Sequence, residues 1–296
     1  MNKMTCRFRM VDFIYIIMMI IPVCLGILLK VITTPPSEGI QISGARIFLE
    51  IPMPVQNLLI TESQVNSVIV IVSLLFLCLY LTHGIKDGVW LKRHHFAEMI
   101  VEMCQNLVNS SMGEYFKAFA PFVCAILALS GFSSLITLFG LYPPTSDINI
   151  VGGWAALVFI LITYYKMKCG PLEYVKSFGN PALMAPLNII SEIATPISMA
   201  FRHYGNVLSG SVISVLVAAG LQGLSNIVFG FLPGFLGDFP LFRVGLPAIL
   251  SIYFDIFSGC LQAFIFAMLT MLYISGGFPL ELYMERKKKK ALKKNN

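Results

Sequence analysis

Between Ser177 and Gly237 the only formal charges are Glu192 and Arg202, and between Val244 and Ser275 the only one is Asp255. An arginine keeps its charge at any accessible pH. It therefore acts as a fixed positive potential that favours the ionised form of any carboxylate brought beside it. Carboxylates take up and release protons, which makes Glu192 and Asp255 candidates for handing protons along. An arginine at the centre of a bilayer costs between about 3 and more than 10 kcal/mol. Lys176 and Asp238, the nearest charges that water can reach, lie far along the chain, so the Arg202 side chain cannot easily stretch to the interface. Arg202 reads as functional.

The neutral polar residues around these charges are spaced to share a face. At 100° per residue Asn188, Ser191, Thr195, Ser198, Arg202, Asn206 and Ser209 form one stripe, with Glu192 at its edge. Ser251, Asp255, Ser258 and Gln262 form another. If the two helices run antiparallel with Arg202 facing Gln262, Asp255 comes level with Ser209, and both stripes can line one passage. The plainer reading of each Ser, Thr or Asn is a hydrogen bond between helices. His94 and His95 with Glu98 hint at a metal site, but no third ligand follows at suitable spacing, and a polar interfacial face is the simpler account. The seven cysteines show no paired spacing and read as packing residues.

The elements that must position these residues are membrane helices. Hydrophobic residues make up 57% of the 296-residue chain and charged ones 12%, with a mean hydropathy of +0.79, which excludes an ordinary soluble domain. The fold class expected is all-α: a polytopic membrane protein with about six membrane helices, the last two forming a long tilted antiparallel hairpin. Crossings are placed at Val11 to Leu29, Val65 to Thr82, Phe119 to Phe139, Val151 to Tyr165, Ala182 to Val228 and Val244 to Ser275. About 40 helical residues measure roughly 60 Å, twice the hydrocarbon thickness, so the fifth helix must tilt or bend.

The organisation expected is one integral membrane domain over 1–296. It divides into an uncleaved signal-anchor helix and first core helix (1–83), an interfacial amphipathic helix (84–118), channel-forming helices (119–276) and a basic cytoplasmic tail (277–296). In the interfacial helix Phe96, Ile100, Met103 and Leu107 recur at helical spacing, with the charges on other faces. With the N-terminus inside, 17 of the 21 cationic residues fall on the cytoplasmic side, which puts both termini in the cytoplasm. The tail from Arg286 reads as an anchor on anionic lipid.

Pro186 to Gly210, PLNIISEIATPISMAFRHYGNVLSG, resembles the signature of subunit a of F-type ATP synthases, in which an Arg precedes an Asn by four residues in an R-x-x-G-N setting. Leu261 to Ser275, LQAFIFAMLTMLYIS, resembles the same family's last helix. Tyr142 to Asn149, YPPTSDIN, with the downstream YYKMK, resembles its third-to-fourth helix region. These matches run in family order from about Glu98 to Ser275. The resemblance implies an ion-translocating stator subunit in the plasma membrane of a bacterium. Two offset half-channels would couple proton flow to ATP synthesis, with Arg202 facing a rotor ring of c subunits. Peripheral stalk b subunits, the rest of the complex and membrane lipid would be its other partners, with no nucleic acid, cofactor or metal and no catalysis of its own.

The resemblance also assigns positions. Asn206 and Gln262 match polar positions near the Arg, and Asp255 matches one carrying His or an acid in the outer half-channel. Asp147 and Asn149 would line the mouth of that path, with Ser209 and Ser258 as further lining. One familiar form has a Glu five residues after the motif Asn, where this chain has Ser211, so the outer relay is expected through Asp255. His203 stands where an apolar residue is usual; packing is favoured over proton exchange. Asn188 occupies a position where some members carry an acid in the inner half-channel, and Glu192, one turn on, is the substitute candidate. Little family signal precedes about Gly84, and nothing in the expected path depends on that region.

The competing reading is a self-contained secondary transporter binding an anionic substrate at Arg202. The sequence shows neither the repeated halves nor the broken helices that mark many such folds. It also lacks a Walker-type phosphate loop.

Overall fold

The computed structural model describes residues 3–33, 44–54, 57–85, 91–168, 170, 174, 185–229, 249–278, 280 and 283–284, without the side chains of 3–9, 226 and 229. The basic tail from Arg286 and the connections 175–184 and 230–248 lie outside the described residues. The helices are α1 (Lys3–Thr33), α2 (Glu62–Thr82), α3 (Lys92–Met112), α4 (Ala120–Leu135), α5 (Ile148–Lys168), α6 (Ala185–Phe229) and α7 (Ile249–Gly276). Among the described residues six helical stretches are long and apolar enough to cross a membrane, all but α3 contributing one. The fourth-to-fifth helix connection contains a short 3-10 turn, Pro144–Ser146.

One small element departs from an all-helical chain: a hairpin of strands β1 (Ile47–Ile51) and β2 (Leu58–Thr61), antiparallel, with Leu49 opposite Ile60. Its residues are largely β-branched and aliphatic, a composition that suits a pleated surface, and the segment is far too short to span lipid.

Helix α1 is docked onto α2 along its length. Gly26 makes this possible: a Cβ there would stand 2.7 Å from Ile69 Cδ1. Ser73 Oγ donates to the Met19 carbonyl at 3.1 Å. At one end Asp12 pairs with Arg93 at 2.7 Å and with His83 at 2.9 Å, and at the other Lys30 bonds the Gly140 carbonyl. Helix α3 buries Cys104, Val108 and Met112 against the bundle, while Phe96 and Met103 face outward. His94, the candidate metal residue of the sequence, is buried and hydrogen-bonded to the His83 carbonyl at 2.9 Å.

The main core joins α3, α4, α5, α6 and α7 through Val108, Val123, Val158, Met199, Phe266 and Met271. With 45 residues, α6 measures roughly 68 Å, more than twice a hydrocarbon core of about 30 Å, so it can only cross at a slant. It runs antiparallel to α7: Asn206 meets Ser258, and four residues on, Gly210 lies against Phe254, where a Cβ would come within 3.0 Å of the ring. These pairs share the register in which Arg202 lies level with Gln262. Residues Ile252–Ser258 of α7 are wound as a π-helix, a local widening with no mark in the sequence.

Candidate functional site

On α6 the Arg202 side chain is exposed on the outer surface of the chain, beside Ile197, Phe201 and Ile213, which are exposed as well. Among the described residues it makes no hydrogen bond or ion pair. The two acids of the hairpin are engaged elsewhere. Both oxygens of Glu192 lie 2.7 Å from Lys166 Nζ, and the Tyr174 hydroxyl donates to it at 3.4 Å. Burial, with the adjacent Glu192 charge, pushes the Tyr174 phenol above its ordinary value, so it stays protonated. Asp255 sits in the π-helical stretch and accepts from Ser251 Oγ at 2.5 Å. Such π turns are frequent at functional sites because they re-aim side chains.

Asn206 exchanges hydrogen bonds with Ser258, Nδ2 donating to Oγ at 2.7 Å and Oγ to Oδ1 at 3.0 Å. Gln262 is buried one turn further along α7. Ser209 and Ser211 return their hydroxyls to their own helix, Ser209 to the Gly205 carbonyl at 2.6 Å and Ser211 to that of Leu208 at 2.8 Å. Asn188 is half-buried near the start of α6. His203 is fully buried, its ring edge-on to Trp154 and Phe266, with Nε2 at 3.3 Å from Ser130 Oγ. That is a packing environment.

Glu192 borders a cavity of about 280 Å³ between α5, α6 and α7 that also touches Lys166, Ser191, Thr195 and Gly277. On the opposite face, Asp147 begins α5, accepting from the Asn149 amide at 3.0 Å and from Ser63 Oγ at 2.5 Å. Asn149 itself is exposed. Asn66 donates to the Tyr142 carbonyl at 2.8 Å. Burial raises the pKa of the Tyr142 phenol, and Tyr204, Asp147 and Glu62 add to the effect. The N-terminal region, set aside in the sequence, thus supplies Glu62, Ser63 and Asn66 to a polar cluster around Asp147. Lys166 was also missed as a partner of Glu192. Only the run of polar residues at 61–66, unusual at the end of a membrane helix, could have pointed to the first of these.

Fold and site together define a multi-pass membrane protein whose longest described helix carries an exposed arginine with no ion pair among the described residues. The ATP synthase A chain family matches residues 65–275, most of the chain, and the protein belongs to that family. It is 34% identical to ATP synthase subunit a of Bacillus pumilus over 200 residues, 62% of this chain and 78% of the relative. With the subunit a of Trichlorobacter lovleyi it shares 29% over 235 residues, 75% of this chain and 91% of the relative. With that of Geotalea daltonii it shares 30% over 214 residues, 70% and 83%. Membership makes the chain a membrane-sector component of an ATP synthase.

Proposed function

We propose that this subunit is the ion-translocating stator of the complex and that Arg202 divides its two half-channels. The observation that carries the reading is the exposed guanidinium of Arg202, without an ion pair among the described residues, on a helix whose Ile197, Phe201 and Ile213 are exposed as well. A permanent cation in that setting needs an anionic or strongly polar neighbour from another chain. A ring of c subunits, each helix bearing one carboxylate, supplies it. As a rotor carboxylate nears Arg202 its ionised form is favoured, and its proton leaves by one path. Beyond Arg202 it is protonated from the other path before it meets lipid, where a bare charge is costly.

On this reading Glu192, with Lys166 and the adjoining cavity, serves the inner path, and Asp255 serves the outer one, with Asp147 and Asn149 near its mouth. Asn206, Ser258 and Gln262 hold the hairpin in register beside Arg202. The termini lie in the cytoplasm, residues 119–276 form the channel, and b subunits complete the stator. The deciding experiment is Arg202→Ala in the assembled complex. ATP-driven proton pumping and coupled synthesis should vanish, with the subunit still incorporated. Retention of coupling overturns the reading, and substrate uptake by the purified chain alone would favour a transporter. A requirement for sodium in vesicle ATP synthesis would identify the coupling ion as Na⁺.

A further inference from the structure

At the first turn of α2, Glu62 is 5% exposed, and its Oε1 atom is buried with no hydrogen-bond partner among the described residues. A buried carboxylate oxygen left unpartnered is a costly arrangement. Uptake of a proton by the carboxylate relieves that cost. The surroundings are polar and close. Next in sequence, fully buried Ser63 bridges Thr61 Oγ1 at 2.7 Å and Asp147 Oδ2 at 2.5 Å. Asn66, one turn on, holds the Tyr142 carbonyl. In the neighbouring turn Thr145 Oγ1 is also buried without a partner. The Tyr142 phenol lies within electrostatic reach of Glu62, Asp147 and Tyr204. Tyr204 is on α6, two residues from both Arg202 and Asn206. The cluster therefore leads from the hairpin end of α2 to the helix that carries Arg202.

We propose that Glu62 is a proton-binding residue of the path reaching α6 from this face, taking a proton from water and passing it toward α6 through the Tyr142 and Asp147 cluster. The proposal rests on the stator reading above. The step is a transfer of one proton onto the free carboxylate oxygen and off again, with no other change in bonding. The titratable group shown to act on Glu62 is Tyr142, and Asp147 and Tyr204 lie in turn within electrostatic reach of Tyr142. The described cations on this face are Arg46, whose carbonyl takes the Glu62 amide at 2.7 Å, and Lys30 on the Gly140 carbonyl; exposed β1 adds Glu50. An ordinary first-turn acid, placed only to complement the helix dipole, would lie in water rather than 95% buried.

The test is passive proton flux through complexes stripped of their soluble sector, reconstituted in vesicles and driven by a potassium diffusion potential. The pH is varied on the Glu62 side. Glu62→Gln, nearly isosteric, should incorporate normally, slow the flux about fivefold or more and flatten its pH profile. Glu62→Asp should retain most of the flux with a profile whose midpoint moves to lower pH, as the smaller acid is intrinsically stronger. Wild-type flux and profile in Glu62→Gln overturn the proposal, and if that variant does not incorporate, an unmoved midpoint in Glu62→Asp does so. Arg202→Ala in the intact complex, scored by ATP-driven pumping, separates the two readings. If it uncouples while Glu62→Gln is silent, only the Glu62 assignment fails. If it leaves coupling intact, the stator reading fails, and the Glu62 flux data stand by themselves.

Discussion

On α6 the side chains of Arg202 and His203 leave the helix about 100° apart, and they enter opposite worlds. His203 is fully buried, wedged edge-on between Trp154 and Phe266 and touching Ser130. Arg202 is exposed and touches no polar group among the described residues. The usual reasoning from contacts would rank His203 as the important residue. On the function proposed above the order reverses. A ring packed against two aromatic neighbours belongs to the interior of its own chain even though its Nδ1 has no hydrogen-bond partner among the described residues, whereas an exposed cation with no ion pair there points to what must come from elsewhere.

The harshest way to break this contrast is to exchange the two residues. Arg202→His combined with His203→Arg drives a permanent charge into a closed apolar site, at a penalty of at least about 4 kcal/mol. The double variant should disappear from the membrane fraction on immunoblots, unlike Arg202→Ala. His203→Ala comes next. Deleting a fully buried ring should destabilise by about 2–4 kcal/mol, read as a lower dissociation temperature of the purified complex, with pumping per assembled complex largely kept. Loss of pumping in fully stable His203→Ala complexes would make His203 a proton carrier after all.

Lys166→Ala probes a charge that is satisfied internally. It leaves Glu192 half-buried without its cation, at a cost of about 2 kcal/mol, and adding Glu192→Gln should restore much of the stability in a double-mutant cycle. Asn206→Ala removes the bond to Ser258 and should cost about 1 kcal/mol by the same dissociation measurement. Ser198→Ala, on the exposed face of α6 near Arg202, should stay within about 0.5 kcal/mol of the parent. A large stability effect there would show that the face is packed within this chain.

The α6–α7 pairing was legible because it rests on periodicity. Polar residues at steps of three and four, read on two antiparallel helices, put Asn206 against Ser258 four residues beyond the level of Arg202 and Gln262, where the hydrogen bonds are found. Proximity between distant segments was not legible. Nothing in a single chain's pattern says that Ser63 reaches Asp147 or that Lys166 reaches Glu192, since both depend on how tilted helices meet. The π-helical turn around Asp255 was equally hidden, because an inserted residue within a uniformly apolar run leaves the hydrophobic pattern unbroken. Glu62 bears no mark in the sequence, because its burial comes from the fold.

The bare guanidinium of Arg202 also bears on how the enzyme is built. A copy inserted without its neighbours would hold that charge against acyl chains, at a penalty between about 3 and more than 10 kcal/mol. Surplus copies would be unstable orphans, open to membrane quality-control proteases. On the stator reading, docking against the rotor would then relieve the strain of the newcomer and its solitude at once, so that the residue proposed to divide the ion path would also reward matched production of the two components.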